Sequence, residues 1–238
     1  MEYIIVIVIM LISVVILKIG LNIHIKDIKK IKEIGYDKEL NKIANKFPDN
    51  KAICEKILAK LNNEKVMIEE ENNTKTSLYI AISDKIIIAN IKDTFTRVQT
   101  IAHECLHSIQ NRKVLLFNFI FSNISLIYFL VSIPLIFLNI LGGYIFVQIY
   151  IAGGLISYIV KAYLENDAMT KAFYLAKEYM IEYKEENEKI TDEDIKTLLS
   201  KMEEINKIGI PFTNFYLIFG IILKVSILCL LGFIVSLM

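Results

Sequence analysis

From Val114 to Val160 the chain runs 47 residues without an aspartate, glutamate, lysine or arginine. A membrane-spanning helix needs about 20 mostly apolar residues. The run is therefore expected to form two spans joined by a turn near Gly142-Gly143. Tyr3 to Leu17 is also free of charge, and from Pro211 to Met238 the only charged side chain is Lys224. Four membrane helices follow, near residues 3–22, 115–138, 144–162 and 214–237. The chain is 55% hydrophobic, too apolar for an ordinary soluble domain. Only Met1 and Glu2 precede the first apolar block, and no small-x-small cleavage site follows it. It reads as an uncleaved anchor and not as a signal peptide.

All lysines and arginines except Lys224 lie in two stretches, Lys18 to Lys113 and Lys161 to Lys207. The positive-inside rule places both in the cytoplasm of a multi-pass cell-membrane protein. The expected division is an N-terminal anchor (1–23), a cytoplasmic α+β part (24–113), a transmembrane hairpin (114–162), a cytoplasmic helical part (163–212) and a C-terminal span (213–238). The net charge of +1 and the lack of a basic patch interleaved with aromatics give no sign of a nucleic-acid partner. Cys54, Cys105 and Cys229 show no paired spacing, which suits a reducing compartment.

Within the first polar stretch, His24 to Gly35 reads as a basic amphipathic helix beside the membrane. Asp49 is expected to cap a helix over about 50–62, with Ile53, Ile57, Leu58 and Leu61 on one face. Three short β-rich runs follow, at 64–70, 77–83 and 85–91. Asp93 is then the expected cap of a helix carrying "TIAHECLHSIQ". On that helix Val98, Ile101, Ala102, Cys105 and Ile109 form one apolar stripe. Thr96, Gln99, His103, His107 and Gln110 form a second, polar one.

Two of the three histidines in the chain are thus His103 and His107, at i and i+4 with Glu104 between them. Residues at that spacing stack on one helix face, so two imidazoles can share a tetrahedral zinc ion. Glu104, about 100° round the helix, flanks the ion without ligating it and can act as general base on a water molecule. A catalytic zinc takes three protein ligands. His24 is remote, so the third is expected to be a carboxylate from "YLENDAMTKAF", just after the third span. Glu165 is the choice. Asp167 lies about 200° away on a regular helix and is the reserve ligand or a supporting partner. If both arms of the hairpin were straight helices, His107 and Glu165 would differ in height by roughly 20 Å. A bend near Pro134, a break around Asn111 to Lys113, or an earlier turn would have to absorb this.

The anchor, short helix, strands, "AHECLHSIQ", charge-free run and "ENDA" together resemble the bacterial membrane-bound neutral zinc metallopeptidases of the YugP type. "ENDA" also resembles the E-x-x-A pattern of the HtpX-type membrane gluzincins, with Met169 where those carry an aspartate. The YugP-type resemblance implies one catalytic zinc at His103, His107 and Glu165, with Glu104 as catalytic acid/base. It departs from that family at Leu106, where the family has glycine, and at "NNTKTSLY" before the second strand.

The expected fold is mainly α, with about four transmembrane helices and a small cytoplasmic α+β zincin-like domain. The expected function is zinc-dependent endopeptidase activity at the cytoplasmic membrane face by zinc-activated water, on protein or peptide substrates that include membrane proteins. Lys85 to Ile91 is the candidate edge strand for holding the substrate extended. The alternative, motivated by Leu106, is a catalytically inactive membrane scaffold or interaction protein. Lys224, the one charge inside a span, is expected to snorkel or to face Asn118, Asn123 or Gln148.

Overall fold

A computed structural model of the protein describes residues 2–35, 37–74, 76–140 and 143–238; the expected turn at Gly142 lies outside them. Its elements are α1 (Glu2–Gly20), α2 (Ile25–Gly35), α3 (Lys38–Ala44), α4 (Asn50–Lys60), β1 (Met67–Glu71), β2 (Leu78–Ile80), β3 (Lys85–Ala89), α5 (Arg97–Ile109), α6 (Arg112–Phe137), α7 (Gly143–Glu185) and α8 (Asp192–Leu237). The chain divides into two units. One comprises Met1–His24, Phe117–Tyr163 and Pro211–Met238; the other comprises Ile25–Leu116 and Leu164–Ile210.

The first unit is apolar on both its inner and outer surfaces. Ile136, Val147, Val225 and Leu228 are buried, while Ile16, Ile127 and Ile159 are more than half exposed. Four helices, α1, α6, α7 and α8, are long and apolar enough to cross a membrane. An exterior of exposed aliphatic side chains suits lipid and not water. Gly154 on α7 permits close packing against α8, because a Cβ there would lie 2.6 Å from Cγ2 of Ile221. Lys224 makes no hydrogen bond to Asn118, Asn123 or Gln148 among the described residues. Its ammonium lies 5.9 Å from the ring centre of Phe129, and Asn123 turns back to donate to the Phe119 carbonyl.

The second unit is built on a sheet of order β1-β3-β2. β1 pairs parallel with β3, and β2 pairs antiparallel with it. β3 is therefore the central strand and not an edge. Its run of three isoleucines suits that place, since Ile86 and Ile88 are buried in the core. Asp49 caps α4 by accepting from the Ala52 amide, and Ile53, Ile57 and Leu58 are buried on the expected face. Asp37 caps a further helix, α3, through the amides of Glu39 and Leu40. That helix was missed, although "DKEL" carries an ordinary capping signal.

α5 departs from expectation at both ends. Thr96 occupies the N-cap position without a side-chain bond, and Asp93 instead accepts from the Asn45 amide side chain. What fixes the start of α5 is Arg97, which is 1% exposed. It donates to Asn50 Oδ1 at 3.1 Å and to the carbonyls of Phe47 and Pro48 at 2.7 and 2.5 Å. A buried guanidinium bonded to the turn between α3 and α4 locks the three helices together. At the other end Ile109 is exposed, and Leu106 takes the core position.

The long helices also run further than expected. α7 continues past the apolar segment to Glu185, because no glycine or proline lies between Lys161 and that residue. α8 begins at Asp192 and carries Pro211 within it.

Candidate metal centre

α5 presents His103 and His107 one turn apart on the face opposite its buried stripe. Behind them Val98, Ile101, Ala102 and Cys105 are at most 1% exposed, so the helix cannot roll. The Cys105 sulfur lies 3.5 Å from that of Cys54 on α4. Asn63, just beyond α4, donates to the carbonyl and hydroxyl of Ser108. Gln99, on the polar stripe, donates to Asn206 of α8 at 2.7 Å.

Glu165 arrives from α7. Ala168, Ala172 and Ala176 follow it at three, seven and eleven residues, and all are fully buried. Glu165 shares their inward stripe, and side chains of one carbon allow close approach of the neighbouring helices. This alanine spacing was the sequence signal that could have fixed the facing of Glu165.

The three side chains converge. Nε2 of His103 and Nε2 of His107 are 3.1 Å apart. Oε2 of Glu165 lies 3.5 Å from the first and 3.9 Å from the second. Ligands about 2.05 Å from a tetrahedral zinc stand about 3.3 Å from each other. The three observed separations bracket that value, so these three donors fit a zinc ion. Among the described residues these three form the one group of histidine, cysteine and carboxylate side chains able to hold an ion. Side-chain exposures of 19%, 12% and 28% leave the group partly open to its surroundings.

Asp167 is not part of the group. Its Oδ1 pairs with Lys171 at 2.6 Å, and its Oδ2 accepts from Gln110 Nε2 at 3.2 Å. Gln110 also donates to the Leu164 carbonyl, and its Oε1 meets Nδ1 of His107 at 2.8 Å. Sequence reasoning placed Gln110 on the polar stripe but missed this role. An amide oxygen at Nδ1 sets the proton there and leaves Nε2 with a lone pair toward Glu165.

The electrostatics suit a cation. Burial and the neighbouring His103 hold His107 below the usual imidazole value, so it is the neutral form that ligation requires. Burial also pulls His103 down, but the hydrogen bond to Glu165 and the charges of Glu104 and Glu165 outweigh it and leave its value raised. Glu104 is 7% exposed and is pushed up to about 7, chiefly by burial, against the opposing pull of His103 and of the Tyr79 backbone amide on β2. Leu106, two residues on, is buried and belongs to the core cluster.

No family model, curated protein or solved structure matches the chain.

Proposed function

We propose that this protein is an integral-membrane zinc endopeptidase of the kind its motifs resemble, with its site on the cytoplasmic face. The observation that carries this reading is the convergence of His103, His107 and Glu165 about one point, beside a buried carboxylate that is not among them. All three donors suit zinc, and a site with three protein ligands and some exposure is of the catalytic kind.

A zinc ion held there supplies Lewis-acid polarisation of a carbonyl oxygen and lowers the pKa of a water molecule. Glu104, with its proton affinity raised into the neutral range, takes a proton from the attacking water and hands it to the leaving amine. His107 is held in one tautomer by Gln110, and Gln110 by Asp167 and the Leu164 carbonyl. An extended peptide pairing with a sheet edge needs β1 or β2, since β3 is central. Of these, β2 is the strand whose Tyr79 amide addresses Glu104, so pairing there brings a scissile bond near the site.

The scaffold alternative rested on Leu106. That side chain is buried as part of the core cluster, which favours the hydrolytic reading. The test is peptide hydrolysis by purified, zinc-supplemented protein against Glu104→Gln. The variant should keep zinc and lose at least about 10²-fold in rate. Zinc-bound wild type that leaves broad peptide libraries uncut returns the scaffold reading. For orientation, a reporter fused after residue 190 should read cytoplasmic.

A further inference from the structure

In the apolar unit, between α6, α7 and α8, lies a cavity of about 420 Å³ that the hydrolytic site does not use. Most of this unit is aliphatic, yet the cavity is lined by Ser122, Ser125, Ser157, Tyr158, Lys161 and Lys224. Its rim includes Tyr216 and Leu223, which are 65% and 49% exposed, so it opens on the outer surface of the helices. That surface is the lipid-facing one when the helices span a bilayer.

The charges in this cavity are uncompensated. Neither Lys161 nor Lys224 makes an ion pair or hydrogen bond among the described residues, and the Lys224 ammonium lies 5.9 Å from the ring centre of Phe129. The unit offers them nothing better, for its one acidic side chain is Glu2. A lysine within a span is costly unless a counter-charge meets it. Hydroxyls of three serines and a tyrosine supply further donors, as an anion with several oxygens requires. Space for it is kept open by Gly220, where an added Cβ would meet nothing within 4 Å. The volume is that of an ordinary small-ligand site.

We infer that this cavity binds the phosphate headgroup of an acidic phospholipid that enters sideways from the bilayer. Its phosphodiester is met by Lys224 and Lys161 and by the serine hydroxyls, while the acyl chains stay on the apolar exterior. Basic pockets between membrane helices on the cytoplasmic side recognise such headgroups generally. The inference depends on the four helices spanning a bilayer and is independent of peptide hydrolysis.

The test is native mass spectrometry of the delipidated full chain titrated with dioctanoyl-phosphatidylglycerol, dioctanoyl-phosphatidylcholine or inorganic phosphate. The phosphatidylglycerol should bind at one saturable equivalent, tighter than the phosphatidylcholine by at least about tenfold. Lys224→Met should weaken it by a similar factor of about ten, and Lys224→Arg should restore it. Gly220→Leu, at a position where the added Cβ meets nothing within 4 Å, places its side chain in the cavity and should abolish binding, which keeps the test decisive if Lys224→Met fails to fold. Lys18→Met, outside the cavity, should bind as wild type does. Equal affinity for the two lipids, wild-type affinity in Gly220→Leu, or inorganic phosphate binding as tightly as the acidic lipid would each overturn the assignment.

Discussion

The carboxamide oxygen of Gln110 lies 2.8 Å from Nδ1 of His107, and the same carboxamide reaches Asp167 through its nitrogen. A ring held in this way presents Nε2 to the space shared with His103 and Glu165. Gln110→Leu should therefore weaken zinc binding by about 10- to 100-fold without removing a ligand. A competition titration with a chromogenic chelator measures the shift; an unchanged affinity would mean that the Gln110 contact is incidental.

Glu165 and Asp167 should separate cleanly. Glu165→Ala removes one of three converging donors and should cost far more zinc affinity than Asp167→Ala, which removes only the support behind Gln110. Equal losses in the two variants, read by the same titration, would place Asp167 among the ligands.

The apolar blocks made four helices legible in advance, and the i, i+4 histidines with a following carboxylate pointed to the residues that converge. The local pairing of the strands was less legible. Nothing in "KIIIANI" alone distinguishes a central strand from an edge, because strand order is set by which neighbours pair. The cap of α5 was misplaced for a related reason. Asp93 is a good local capping residue, but the helix start is held from outside by Arg97 reaching Phe47 and Pro48, a contact about 50 positions away in sequence. The straight-arm height mismatch assumed unbroken helices. Gln110 is in fact extended, with φ −67° and ψ 163°, and Asn111 caps a new helix through the amides of Lys113 and Val114.

Leu106 is 5% exposed and belongs to the core. Leu106→Ala should cost about 2–5 kcal/mol of stability by leaving a cavity, and Leu106→Gly about 1 kcal/mol more through lost helix propensity. Thermal unfolding in detergent checks this. Neither variant should hydrolyse peptides faster than wild type; a gain would show that Leu106 obstructs the site.

Asp194 links the start of α8 to the segment after α3. It pairs with Lys46 at 2.6 Å and exchanges hydrogen bonds with Thr191 in a capping box. Burial works against its charged form, but Lys46 and Thr191 outweigh this and hold the carboxyl below the usual aspartate value. A depressed folded value stabilises the fold fully above the unfolded value of about 3.9, and this is lost as pH falls through the lower folded value. Asp194→Asn keeps an oxygen for the Thr191 amide but loses the ion pair with Lys46, and should therefore destabilise the fold near neutral pH by up to about 1 kcal/mol. The gap to wild type should close in acid. A gap that persists unchanged below about pH 2 would contradict the linkage.

The most direct test of the metal centre is the zinc content of the purified chain, measured by inductively coupled plasma mass spectrometry beside His103→Ala. The arrangement of His103, His107 and Glu165 predicts about one zinc per chain in wild type and almost none in the variant, with both proteins folded. Wild type that takes up no zinc from a replete buffer, or a His103→Ala variant that retains a full equivalent, would contradict it.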